Sequence, residues 1–463
     1  MPATRVRTGG VAPREQVWGL AVGVLSRRNV LVGSAAAVAA GVVGLQGEKE
    51  FGRQGASPQQ HTAAVGRPAA RTQPRQAPQA APAARLIGDG STSDTGPQPL
   101  QPLAEQLAPG ERPPQFVVFS WDGAGEDDNK FFSHFRQVAQ ETKATMTFFL
   151  SGIYTLPRGQ RMMYAPPNKP IGASAIGYLD DDHVYATIQQ VGQAWLEGHE
   201  IGTHFNGHFC DSQGVGSWGP QQWRSEIDQA VGFVHAWRTN TGFKDLPALP
   251  FDYSKELSGG RTPCLLGQDQ LLPTARELGW TYDASSPGGL QIWPAKRQGL
   301  WDLPLQSIPL PNTKYGALSM DYNIMYNQIG PDPNAGDPLK RPFFQQQAED
   351  SYMAGFNRAY TTNRAPYFIG NHFETWNGGI YMVAVEQALR RIAEYPDVRL
   401  VSFKQFVAWL EAQDPAVIAR LRTLDPGVAP DDWREYTTPS TPRNGQPETT
   451  TGAATPIKVT TSA

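Results

Sequence analysis

The chain has 463 residues, with 40 Lys and Arg against 43 Asp and Glu and a formal net charge of −3. So small a charge on this length provides no field to draw in nucleic acid or an anionic surface, and no nucleic-acid partner is expected. The two cysteines, Cys210 and Cys264, do not form a C-x-x-C pair, which argues against a structural zinc site and a thioredoxin-like site.

At the N-terminus, Ser26-Arg27-Arg28-Asn29-Val30-Leu31 is a twin-arginine pattern, followed by an Ala/Gly/Val-rich apolar run to about Leu45. This resembles a bacterial Tat-type export signal. The run is shorter than the roughly 20 residues that span a bilayer. Residues 1–47 are therefore read as an export signal, or as a membrane anchor if it is retained. Either reading puts the rest of the chain on the outer face, as a secreted, wall-associated or membrane-tethered protein. Residues 48–114, rich in Pro, Ala and Gln, are read as a disordered linker, and residues 425–463, rich in Thr and Pro, as a disordered tail. Neither composition buries enough apolar area to offset chain entropy.

Residues 115–424 hold nearly all the aromatic residues and are long enough for one large core. Phe116–Trp121 is a β-rich run ending at Asp122, and Asp127–Glu141 has helical spacing, with Phe131, Phe135 and Val138 on one face. A strand is expected at Thr145–Leu150, a helix at Asp182–Glu197 stopped by Gly198, and a short strand at His199–Thr203 leading to His204. Helices follow at Pro220–Arg238, near Leu271–Leu278 and near Phe344–Tyr360. A strand at Tyr367–Ile369, a helix near Val383–Glu394, a strand at Val398–Val401 and the segment Phe403–Leu410 close the series. This alternation predicts an α/β fold with a parallel barrel or an open parallel sheet. Asp122, His204 and His372 each follow a predicted strand. Barrel enzymes place catalytic groups there, and open sheets do so at a switch point.

Four segments carry chemistry-bearing residues. His204 and His208 are four apart in a Gly-flanked loop, and such a pair can chelate one zinc or other first-row ion. Asp122 opens a Gly-rich loop, as a ligand, a base or a turn-forming Asp. His372, followed by Trp376, suits a general acid against an aromatic wall or a partly buried loop histidine. Arg261, fixed by Pro263, can hold a carboxylate by a two-pronged bond or lie in a surface turn. His199 reads as structural, His134, His183 and His235 as ordinary helix residues, and His61 falls in the linker.

In order, these segments resemble the polysaccharide deacetylase family, or NodB-homology domain, across about Gln115–Leu410. Ser120–Ala124 matches its first motif, His204–His208 its second, Arg261-Thr262-Pro263 its third, Trp301-Asp302-Leu303-Pro304 its fourth and His372–Trp376 its fifth. Met146–Phe149 and Thr281–Ser286 resemble two of its strands, and Phe356–Tyr367 resembles the chitin deacetylase-like branch. The resemblance implies a distorted (β/α) barrel, a divalent metal such as Zn2+, and hydrolysis of N- or O-acetyl groups on a polysaccharide or oligosaccharide. A monomer is expected. By position, Asp122, His204 and His208 are the metal candidates. Asp122, Arg261, Asp302 and His372 are the catalytic ones, with Arg261 orienting a carboxylate, His372 as the acid and Asp302 tuning it.

The first motif departs from the family, which uses two adjacent acids, one as base and one as metal ligand. Here Asp122 stands alone, and it falls on the base position or the ligand position according to the alignment. Glu126, Asp127 and Asp128 are the nearby candidates for the other role. A silent carbohydrate-binding protein on the same scaffold is the alternative to an enzyme. Cys210 follows the second motif and Cys264 the third, so both are expected near the pocket, able to pair after export, or with Cys210 as a further ligand. Trp121, Trp218, Trp293, Trp301 and Trp376 are candidates to stack on sugars or to fill the core. Asn312–Pro342 matches nothing in the family and is read as a loop shaping the cleft.

Overall fold

The computed structural model describes residues 84–286 and 288–439. The twin-arginine segment lies outside these residues, as do the start of the Pro/Ala/Gln-rich stretch and the end of the tail. Among the described residues, twelve strands occur in chain order: β1 (Arg85–Ile87), β2 (Thr92–Asp94), β3 (Gln115–Asp122), β4 (Thr147–Leu150), β5 (Glu200–Thr203), β6 (Tyr282–Asp283), β7 (Ala295–Arg297), β8 (Leu300–Asp302), β9 (Ser307–Pro309), β10 (Gly316–Leu318), β11 (Tyr367–His372) and β12 (Val398–Leu400).

The centre is a parallel sheet in the order β11-β3-β4-β5, with β12 also paired to β3. All eight residues of β3 are buried, as a central parallel strand covered on both faces requires. Its side chains alternate between two cores. Val117, Phe119 and Trp121 enter the larger one, while Phe116 and Val118 enter a second with Phe368, Phe403, Phe406 and Trp409. Because the strands are parallel, their C-terminal ends share one edge, and that edge carries the site.

A second sheet, β6-β8-β7, mixes parallel and antiparallel pairing. Single parallel bridges link Thr203 to Gly260, Gly289 to Gln306 and Met320 to Gly370. The architecture is mixed α/β. The expected barrel is not closed by a continuous ladder among the described residues, because the segments at Gly260, Gly289, Gln306 and Met320 meet their neighbours only through these single bridges.

Helices pack apolar faces on this frame. Phe131–Thr142 buries Phe132, Phe135, Val138 and Ala139, the i, i+3, i+4 spacing of one helical stripe. Phe131 lies only at the margin of that core. Among the described residues, no helix is long and apolar enough to cross a membrane.

The domain starts earlier than the composition suggested. The β1–β2 hairpin docks through polar bonds: Ser93 N and Oγ donate to the Leu249 carbonyl at 2.8 and 2.9 Å, and Trp237 Nε1 donates to the Ser91 carbonyl at 2.6 Å. Leu107 is buried. At the other end, Trp433 and Tyr436 pack on the second core. These flanks are poor in apolar residues and attach largely through backbone groups, which composition does not reveal.

Candidate functional site

Register assembles the site. β11 and β3 pair so that His372 lies directly opposite Asp122 at the common C-terminal edge. His204 follows β5, its N–H donating to the Leu150 carbonyl at 2.9 Å. Arg261 follows Gly260, and its N–H donates to the Thr203 carbonyl at 3.1 Å. A Cβ at Gly260 would lie 2.7 Å from that carbonyl oxygen, so only glycine allows the segment this close to β5.

Arg261 is fully buried. Its Nη1 donates to Asp122 Oδ1 at 2.7 Å and to Ser120 Oγ at 2.9 Å, and its Nε donates to the Ala284 carbonyl at 3.1 Å. The guanidinium also lies over the Phe149 ring, 4.9 Å from its centroid. Burial pushes the Asp122 carboxyl up, but Arg261, then His204 and His372, outweigh it and hold the group below its usual range. Asp122 is thus a carboxylate whose Oδ1 is committed to Arg261.

His204 Nδ1 lies 2.7 Å from the Arg261 carbonyl oxygen. A carbonyl only accepts, so Nδ1 carries the hydrogen and Nε2 the lone pair. Nε2 is buried without a hydrogen-bond partner. The His208 ring centroid is 5.0 Å away. Burial lowers the pKa of both histidines, that of His208 to about 3. Two neutral imidazoles, one with an orphaned buried nitrogen, fit a metal ion.

The third ligand of the expected set does not fit. Among the described residues, the one group of three ligand-type side chains with donor atoms within 4.8 Å of one another is His208, Cys210 and Cys264. As free thiols these make a His/Cys/Cys cluster able to coordinate a metal ion; here Cys210 and Cys264 form a disulfide, with Cα atoms 6.1 Å apart. Asp122, His204 and His208 are not among the groups so placed; Asp122 Oδ1 is bound to Arg261, and the next residue, Gly123, has no side chain. The nearby acids are used elsewhere. Glu126 Oε2 accepts from Ser133 N–H at 2.7 Å, Asp127 accepts from Asn129 N–H at 2.8 Å, and Asp128 pairs with His183 at 3.2 Å.

The partner of His372 is Asp321, not Asp302. Asp321 is fully buried and starts the helix Asp321–Ile329. It accepts from His372 N–H at 2.6 Å and meets Nδ1 at 2.8 Å. Burial pushes the imidazolium down, but Asp321, by charge and hydrogen bond, and then Asp122 raise its pKa to about 9. His372 is therefore a protonated imidazolium at neutral pH. Asp302 lies on β8 opposite Asp283 of β6, in the other sheet. Burial raises both carboxyls, that of Asp283 to about 7. Asp321 follows the short strand Gly316–Leu318, in a segment that the sequence offered only as a loop.

The histidine loop is braced from below. Tyr164 OH donates to the Glu226 carboxyl at 2.8 Å and accepts from Gly207 N–H at 3.0 Å. Burial raises Glu226 to about 7. His199 is also structural: its Nδ1 accepts from Met146 N–H at 3.1 Å. Of the five tryptophans, Trp121, Trp218, Trp293 and Trp301 are buried. Half-buried Trp376 stands 5.1 Å from the His372 ring and 5.6 Å from Tyr322. Tyr322 and Tyr326, both exposed, continue the row at 6.2 Å.

No protein-family profile matches the chain, and no curated protein matches its sequence. Among solved structures the chain is similar to a candidate polysaccharide deacetylase from Mycobacterium smegmatis, with 14% identity and a TM-score of 0.40 over 67% of this chain and 96% of that one. It is similar to the peptidoglycan deacetylase PdaC from Bacillus subtilis, with 11% identity and a TM-score of 0.33 over 66% of this chain and 94% of that one. It is also similar to a CE4 family pseudoenzyme from Bacillus anthracis, with 9% identity and a TM-score of 0.33 over 66% of this chain and 71% of that one.

Proposed function

We propose that the chain is an exported carbohydrate-binding protein on a distorted-barrel, deacetylase-like scaffold, whose hydrolytic centre lacks one metal ligand. The observation that carries this reading is the position of Asp122. It is bound to Arg261 at 2.7 Å, and no third carboxylate, thiolate or imidazole completes a set with His204 and His208 among the described residues. The row formed by Trp376, Tyr322 and Tyr326 supports a polysaccharide ligand, since aromatic faces stack on the apolar faces of sugar rings. The single bridges between the short strands are read as the seams of the barrel, and the twin-arginine pattern as its export signal, cleaved or retained as a tether.

The site residues then have binding roles. Asp122 and protonated His372, register partners at the C-terminal edge of the sheet, then serve as a fixed anion and a fixed cation, an acceptor and a donor for sugar hydroxyl and amide groups. Arg261 keeps Asp122 ionised, and Asp321 keeps His372 charged. His204 and His208 offer a two-imidazole site for a divalent ion such as Zn2+, which when bound would polarise a carbonyl oxygen of the ligand.

The intact Asp122–Arg261 and His372–Asp321 pairs favour a second reading, a metal-dependent deacetylase. In that reading Asp122 takes a proton from water and His372 gives one to the leaving group. Binding tests the first reading. The purified full chain should be retained on insoluble chitin or xylan, and Trp376→Ala combined with Tyr322→Ala should weaken retention about tenfold or more, on the scale of two lost stacking contacts. No retention of the native chain on any such polymer would overturn it.

A further inference from the structure

The Cys210–Cys264 disulfide, which the sugar-binding reading does not use, lies beside His208. Cys210 follows the histidine loop at the end of β5, and Cys264 follows Arg261-Thr262-Pro263. The two loops are tied where they pass the site. His208 Nδ1 lies 3.6 Å from Cys210 Sγ, and one donor atom from each of the three residues falls within a 4.8 Å sphere of separation. Both cysteines and His208 are partly exposed, so reductant and cation can reach them. His208 and Cys264 both adopt left-handed backbone, with φ of 57° and 58°, a conformation uncommon for residues other than glycine.

We propose that Cys210, Cys264 and His208 form a redox-gated cation site, closed while the cysteines are paired and open to a thiophilic divalent ion such as zinc once a dithiol reduces them. The chemistry balances. The dithiol supplies two electrons and two protons, the Sγ–Sγ bond breaks to give two thiols, and the reductant leaves as its own disulfide. Cation binding then releases both thiol protons to solvent, leaving two thiolates and one imidazole as ligands and one tetrahedral position open to water. A neutral imidazole has one nitrogen lone pair, so His208 serves this site or pairs with His204, not both. Reduction thus moves His208 from one ligand set to the other. A reducing compartment holds the chain with this site open, and an oxidising one holds it closed.

Cobalt(II) is the probe. The full chain is reduced with a dithiol, freed of it without oxygen, and titrated with cobalt(II). The reduced chain should develop sulfur-to-cobalt charge-transfer absorption saturating at about one cobalt per chain, which the oxidised chain lacks and reoxidation abolishes. His208→Ala should weaken that binding about tenfold or more, as loss of one of three ligands requires. A reduced chain with no such band, or a His208→Ala chain that binds cobalt as tightly as the native one, would overturn the proposal. A measurement on the native chain needs no variant to fold: zinc should slow alkylation of reduced Cys210 and Cys264 by iodoacetamide, followed by mass spectrometry. Equal alkylation with and without zinc would also overturn it.

Discussion

His372 owes its charge to Asp321. Its folded pKa of about 9 is above the unfolded value near 6.5. The stabilisation is therefore fully present below about pH 6.5 and is lost as pH rises through about 9. It amounts to at most ~3 kcal/mol. Urea unfolding between pH 6.5 and 9.5 should show that loss, and Asp321→Asn should flatten it; an unchanged slope in the variant would contradict the pairing. Arg261 plays the corresponding part for Asp122. Arg261→Met leaves Asp122 buried without its cation, which costs about 3–5 kcal/mol, measurable as a lowered urea midpoint. The sequence made Asp122, His204, Arg261 and His372 legible because each follows a strand or fixes a turn. It pointed to Asp302 instead of Asp321 because motif order does not encode which of two acids faces a histidine. That depends on the helix Asp321–Ile329, whose segment matched no family pattern.

At the scale of elements, the sequence disclosed what has strong periodicity or β-rich runs. β3, β4, β5 and β11 and most helices around them were legible within a few residues, while the helix expected near Val383–Glu394 begins at Trp376. The small sheets β6-β8-β7 and β9-β10 were not legible, because their strands are two or three residues long and owe their pairing to tertiary context rather than to pattern. The helix Arg341–Tyr360 shows how tightly this region packs. Gly355 lies inside it, and a Cβ there would come within 2.5 Å of Ile308 Cγ2 and 2.7 Å of the Tyr367 hydroxyl. Glycine in a helix interior costs about 1 kcal/mol relative to alanine, so on propensity alone Gly355→Ala should stabilise. Overpacking a core costs about 1–3 kcal/mol, and here the contacts on β9 and β11 decide. Gly355→Ala should lower the Tm; a raised Tm would mean that the helix can shift away from those strands.

For the whole molecule, the folded unit begins before residue 115. A chain starting at residue 84 retains the bonds from the β1–β2 hairpin to Leu249 and Trp237, and one starting at residue 115 loses them and uncovers apolar surface around Leu107. The shorter chain should unfold at lower temperature, by several degrees for each ~1 kcal/mol lost, and equal Tm values would show that the hairpin adds nothing. The central claim concerns the missing ligand beside Asp122. Gly123 has φ +66°, and a Cβ there would meet only Ser151 Oγ at 3.7 Å and Tyr154 Cε2 at 3.8 Å, ordinary contacts. Aspartate tolerates that strained backbone region better than most residues, so Gly123→Asp adds a second carboxylate adjoining Asp122 in a space that admits its Cβ. Acetate release from acetylated chitin and xylan oligomers, in the presence of zinc, is the most direct measurement. The native chain should release none above buffer and the Gly123→Asp chain should release acetate steadily; steady release by the native chain would contradict the account.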